Sequence, residues 1–235
     1  MKTSILQVLF RLSEIDRQAV PDSSITIDGV EISKIGLEIL RTNLTLIPQT
    51  SFILTGTVRK NLDPLGKYKD ERLAVVLQEV GLWDRVRSLP DGLNTVISDA
   101  SSSFSTGEKQ LLCLARALLQ NNKIVVLDEA TANVDFETDN FIQQKIMEKF
   151  HDSTVFTIAH RLSTIANYDR VMVMDKGRVR EFDHPYKLLV KNIGDEKITN
   201  TDGLFASMIL HTGAKHSEVV FQAAKNSYFR KLGTQ

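Results

Sequence analysis

A single cysteine, Cys113, is all the thiol this chain of 235 residues holds, so no internal disulfide can form. It sits in an apolar helical run, where a buried packing thiol is the ordinary outcome. No stretch approaches the roughly 20 consecutive apolar residues of a membrane span. No secretory signal opens the chain either, because Lys2 leads into an amphipathic pattern. The chain is expected to be soluble by itself, with any membrane link made by a partner or by segments outside it. An excess of one charge is missing too. Lys plus Arg is 29 and Asp plus Glu is 29, which gives no global drive toward nucleic acid or anionic lipid. Internal repeats are absent.

What is present reads as globular. Hydrophobic content is 42% and charged content is 25%, within the range of chains that bury a core. The length suits one large α/β domain or two small ones. Residues 4–18 carry apolar groups at helical spacing and predict a helix with one broad apolar face. The segment SITIDGVEI alternates around Asp28-Gly29 and predicts a hairpin. LTLIPQ, residues 44–49, reads as a buried strand ended by Pro48. Residues 50–65 read as a loop and a short helix, and 70–89 as one helix closed by Pro90-Asp91-Gly92. A long helix is expected over roughly 107–120. KIVVLDEA (123–130) is a continuous apolar run, as in a parallel strand covered on both faces. A helix at 137–149, a strand in STVFTIAH (153–160), a short helix in LSTIANY and a hairpin turned by Lys176-Gly177 complete the pattern. Residues 192–203 are polar and read as a loop, and the last 20 or so fit a helix or a loose tail. The alternation of strands and helices argues for an α/β core with parallel strands.

Several residues at the strand ends could carry chemistry. Asp128 and Glu129 follow an apolar strand, and ligands of open α/β sheets lie at the carboxyl ends of strands. One such acid can hold Mg²⁺ while the other polarises a water; a solvated strand end would also suit them. Gln49, after Pro48, ends another strand, where an amide reaches a metal or a water, although a plain loop residue fits equally. His160 ends a third strand and could hold a terminal phosphate, or simply pack. Phe104-Ser105-Thr106-Gly107-Glu108 is a small-residue turn before a helix. Its backbone N–H groups favour an anion, or Ser105 or Thr106 is an ordinary cap. Lys2-Thr3-Ser4 opens a helix and matches the last residues of the phosphate-binding motif GxxxxGK[ST].

Taken in order, these segments resemble the nucleotide-binding domain of ATP-binding cassette transporters. FSTGEKQLLCLARALL resembles the family signature, IVVLDEATANVD the Walker B strand with its D-loop, TIAHRLSTI the switch-histidine segment and IPQTSFILTGTVRKNLDP the Q-loop. NLDP together with SITIDGVEISKIGLEILR resembles the second cassette of subfamily C, the multidrug-resistance-associated branch. LFASMILHTG resembles its C-terminal helix. The resemblance runs from residue 2 to about 214. It implies an α/β, P-loop NTPase-type fold with a mostly parallel sheet and a helical signature subdomain at roughly 65–120. The N-terminal strands of that fold would be missing, and residues 215–235 would form a C-terminal tail.

The resemblance also implies roles. ATP and Mg²⁺ would be the ligands. Lys2 would contact the β- and γ-phosphates. Thr3, Gln49 and Asp128 would hold Mg²⁺. Glu129 would act as base or orient the water, and His160 would hold the γ-phosphate. Ser105 and Gly107 would cover ATP bound on a second nucleotide-binding domain in a head-to-tail sandwich, with Asp135 at that interface. The transmembrane domains of an exporter would be the other partners, placing the cassette on the cytoplasmic side of a membrane.

The match departs in two places. The glycines of the phosphate loop are absent, because Met1 stands where the last of them belongs. The expectation is a piece of a longer transporter, with a short, weakened or regulatory cassette as the alternative. Thr106 replaces the first signature glycine and Glu108 the glutamine, which places an acid near a neighbour's phosphates and calls for Lys109 or another cation. Three functions follow: an ATPase motor of a membrane exporter, a non-catalytic cassette lending its signature face to a partner, and a soluble cassette of DNA maintenance or translation. Neutral charge and the subfamily phrases argue against the last.

Overall fold

Asp28 and Gly29 both have positive φ, 49° and 80°, the conformation a tight two-residue hairpin requires. They join β1 (Thr26–Ile27) to β2 (Val30–Glu31) in an antiparallel pair, as the sequence predicts. The computed structural model describes residues 2–16, 18, 21–98, 104–128, 134–159 and 161–233, with backbone alone for Lys2, Thr3 and Phe136. These fall into two compact units, Thr3–Ile158 and one made mainly of Ala159–Gln235.

The first unit begins with α1 (Lys2–Leu9), shorter than the helix expected over 4–18. Arg11 turns left-handed at φ 48°. Its guanidinium donates to the carbonyls of Ile32 and Ile35, at 3.2 and 2.9 Å. The N–H groups of Leu12 and Ser13 fold back to the Gln7 carbonyl, and Leu12 is left exposed. Next come α2 (Leu37–Thr42), β3 (Leu44–Ile47), β4 (Gly56–Thr57) and α3 (Val58–Leu62). The helix expected over 70–89 is two, α4 (Asp70–Glu79) and α5 (Trp83–Arg87). Gly81, at φ 73°, ends the first, and the Leu82 N–H reaches the Leu77 carbonyl at 2.8 Å. That is the terminating arrangement for which glycine is favoured.

β5 (Val96–Ile97) pairs with β4. α6 (Thr106–Gln120), β6 (Ile124–Asp128), α7 (Phe136–Lys149) and β7 (Thr154–Ile158) follow. The sheet that positions the site has the order β3-β6-β7, and both pairings are parallel. Its central strand is apolar on both faces because both are covered. Val125 and Leu127 join a core made with α3 to α7. Val126 joins Leu6 and Phe10, from α1 and the residue after it, together with Leu44 and Ile158 on the other side. α6 is buried nearly all round, with Leu112, Leu114 and Ala115 fully enclosed. Burying each such leucine contributes roughly 1.5–3 kcal/mol.

The second unit holds the hairpin β8 (Val171–Asp175) and β9 (Arg178–Asp183). Lys176 and Gly177 turn it with positive φ, as the sequence predicts. α8 (Pro185–Leu189), α9 (Leu204–Leu210) and α10 (Ala214–Leu232) complete it. The Glu181 carboxylate accepts from the N–H groups of Leu204 and Phe205, both at 2.8 Å. It thereby caps α9, whose own N-cap residue, Gly203, has no side chain to do so. The final segment, read from sequence as either helix or loose tail, is a helix of 19 residues. Its Phe221 and Tyr228 lie 5.9 and 5.3 Å from the Tyr186 ring.

Candidate functional site

The parallel register gathers the strand ends. Ile47 pairs with Leu127, and Asp128 pairs with Ile158. Pro48 and Gln49 therefore leave the sheet beside Asp128, on the strand-end side where α/β ligands bind. Asp128 is half-buried and Gln49 is exposed. Glu129 and His160 lie outside the described residues. Lys2 and Thr3 begin α1, and their side chains are likewise outside the description. An amide oxygen and a carboxylate at adjacent strand ends are hard donors of the kind Mg²⁺ prefers. Among the described residues no group of three or more His, Cys, Asp or Glu is poised to hold a metal.

The segment after Gln49 is tied to α6 by buried polar groups. Gln110, 2% exposed, donates to the Pro48 carbonyl at 3.1 Å. Arg116 donates to the carbonyls of Asn61 and Phe52 at 2.5 and 2.9 Å, and to the Asn61 side-chain oxygen at 2.7 Å. Asn61 in turn closes the turn at Leu54, donating to its carbonyl and accepting from its N–H, each at 2.8 Å. Burial lowers the Arg116 pKa and raises that of the Cys113 thiol beside it, in each case by desolvation first. Cys113 is thus the packing thiol that the sequence implied. Sequence reading gave Gln110, Arg116 and Asn61 no role. The one available signal was an amide and a cation on the apolar face of a helix, where a polar group requires a partner.

The turn before α6 is built from its own residues. Ser105 Oγ accepts from the Glu108 N–H at 3.1 Å, and the Glu108 carboxylate accepts from the Ser105 N–H at 2.7 Å. This reciprocal capping box leaves the N–H groups of Thr106 and Gly107 as first-turn donors not used in the box. The Ser105 hydroxyl, acting here as an acceptor, retains a proton to donate. Glu108 also pairs with Arg85 of α5 at 3.4 Å, and Arg85 lies over the Phe104 ring at 5.8 Å. The acid that departs from the signature is therefore turned back into its own helix end and neutralised by Arg85.

Asp135 caps α7, and its carboxylate accepts from the Thr138 N–H at 2.9 Å. That bond, followed by one from the Thr138 side chain, holds the Asp135 carboxyl below the usual carboxylate range. Gly107 faces the same threonine: a Cβ at Gly107 would stand 3.1 Å from Thr138 Cγ2. The described part of the first unit thus holds Gln49 and Asp128 at the strand ends. It separately joins Ser105 and Gly107 to Asp135 through α6 and α7.

Comparison with known proteins shows what the chain is similar to. The family described as ABC transporter matches residues 2–132. ATP-binding cassette sub-family C member 4 of Mus musculus is 45% identical over 230 residues, covering 98% of this chain and 16% of the relative. The probable multidrug resistance-associated protein lethal(2)03659 of Drosophila melanogaster is 45% identical over 227 residues, covering 97% of this chain and 16% of the relative. The chain thus spans about a sixth of the length of these relatives. Among solved structures, a bacterial Atm1-family ABC exporter with ATP bound superposes with a TM-score of 0.77 at 30% identity, over 91% of this chain and 35% of that one.

Proposed function

Because this chain belongs to the ABC transporter family, as a cassette of subfamily C, we propose that it binds and hydrolyses ATP to drive solute export within a larger membrane transporter. The observation that carries this reading is the parallel register that brings the Pro48-Gln49 step beside Asp128. Phosphoryl transfer asks for positioning and charge stabilisation rather than covalent chemistry, and strand ends fixed by a packed sheet supply positioning.

In this reading Lys2 contacts the β- and γ-phosphates and His160 the γ-phosphate. Thr3, Gln49 and Asp128 hold Mg²⁺, which when bound neutralises charge on the phosphate oxygens. Glu129 acts as general base toward the attacking water or orients that water. Ser105 and Gly107 cover ATP on a second cassette, with the free first-turn donors facing it, and Asp135 borders the same interface. The preformed capping box supports this role, because the turn needs no nucleotide to hold its shape. The transmembrane domains of the exporter are the other partners, and the cassette works on their cytoplasmic side. Among the described residues no helix is long and apolar enough to cross a membrane.

The test is Mg-ATP binding and turnover by this chain beside Glu129→Gln. Turnover is expected to fall about 100-fold or more in the variant, with binding retained. A folded chain with neither binding nor turnover would end the motor reading. It would leave the cassette as a non-catalytic partner whose signature face completes another cassette's ATP site.

A further inference from the structure

The signature turn and the D-loop cap meet at one side chain. Thr138 is the third residue of α7. Its N–H donates to the Asp135 carboxylate at 2.9 Å. Its methyl and hydroxyl would lie 3.1 and 3.4 Å from a Cβ at Gly107. Real Cβ contacts are seldom so close, so a side chain at position 107 would force Thr138 to give way. Gly107 has an ordinary backbone conformation, with no positive φ. The constraint on a side chain at this point is therefore one of space, and Thr138 would have to shift by a few tenths of an ångström to admit one. We propose that Thr138 is a positioning residue that locks the signature turn to the D-loop cap, so that both present to a partner cassette as one rigid edge.

The physical basis is the division of one small side chain between two tasks. The backbone N–H of Thr138 first, and its hydroxyl second, hold the Asp135 carboxyl below its usual range. The methyl fills the gap at Gly107. Behind this edge, the neighbouring turn of α6 is anchored by Gln110 to the Pro48 carbonyl. The intrachain lock stands on geometry. Its use in presenting an edge to a partner rests on the reading given under the proposed function.

The test uses the full chain with Gly107→Ala, Thr138→Ser and Thr138→Val. Thr138→Ser removes the methyl and keeps the hydroxyl, and Thr138→Val does the reverse. In the Thr138→Ser background, Gly107→Ala is expected to raise the unfolding midpoint by roughly 1–3 °C, because alanine favours a helix over glycine. In the wild-type background it is expected to give no gain, or a loss. The same shift in both backgrounds would overturn the lock. Carboxyl ¹³C titration of Asp135 adds a readout that packing alone does not move. Its pKa stays low in Thr138→Ser and rises in Thr138→Val, and no rise would remove the hydroxyl from the proposal. With Mg-ATP, self-association of the chain is expected to weaken several-fold both in Thr138→Ser, which loses the contact at Gly107, and in Thr138→Val, which loses the hydroxyl. Association at the wild-type level in either variant would overturn the positioning role. A wild-type chain that shows no response to Mg-ATP would sink the motor reading, while the midpoint cycle and the titration would still decide the lock.

Discussion

The site-bearing segments of one unit and the last helix of the other are fastened by different means. In Thr3–Ile158, the segments that carry the site are fastened by partly buried polar bonds between residues far apart in sequence: Gln110 to Pro48 across 62 positions and Arg116 to Asn61 across 55. In the unit made mainly of Ala159–Gln235, the last helix is held by rings: Tyr186, Phe221, Tyr228 and Phe229 pack with one another, and the His184 ring meets Tyr228 at 5.1 Å. Polar bonds fix direction as well as distance, so they suit a region that must present oxygens and N–H groups accurately. Ring packing is larger in energy and less directional, so it suits a region whose task is to stay folded.

That contrast can be broken in three ways. The largest effect is expected for Phe221→Ala, which empties a fully buried site in the second unit and should cost about 3–5 kcal/mol. Denaturant unfolding measures it, and a loss below about 1 kcal/mol would mean that the rings are not what holds α10. Asn61→Ala should cost about 2–4 kcal/mol in the first unit, because it removes several hydrogen bonds and strips partners from the Arg116 guanidinium. An unchanged midpoint would show that the polar fastening is incidental.

The smallest effect should come with pH. His184 Nδ1 accepts from the Tyr186 N–H at 3.2 Å and caps α8. Its Nε2 is buried without a partner among the described residues. Desolvation, then the nearby Lys231, lower its pKa from 6.5; Lys187 acts in the same direction, and Asp169 and Asp183 oppose them. A histidine lowered in this way binds fewer protons folded than unfolded, so stability rises with pH. Its contribution is complete above about 6.5 and is lost as pH falls below that value toward the depressed one. Unfolding midpoints of the chain and of His184→Gln, compared on both sides of that value, check this. Parallel pH slopes would clear His184.

Much of the site region was legible because its signals are local. An apolar run ending in Asp128, a Pro48-Gln49 step at a second strand end and a small-residue turn at Ser105 each announce themselves within a few residues. The hairpin at Asp28-Gly29 does the same. The end of α1 was not legible. Arg11 adopts its left-handed conformation with its guanidinium bonded to carbonyls more than twenty positions away, and nothing beside it marks a stop. The break at Gly81 was readable in principle, since glycine ends helices, but the apolar periodicity continues through it. The state of Glu108 was hidden for a related reason. Its cation, Arg85, belongs to a different helix, whereas the sequence offered Lys109 as the nearest one.

The sequence by itself determined that the core strands are parallel and buried and that Gln49 and Asp128 stand at the ends of two of them, because hydrophobic period and strand-end position are properties of short segments. Tertiary structure alone decided what those residues touch. It set Gln110 under Pro48, turned Glu108 back onto Ser105 and Arg85, placed Thr138 against Gly107, and made residues 214–232 a packed helix. Each of these depends on a partner brought near by folding, and chain neighbours carry no record of it.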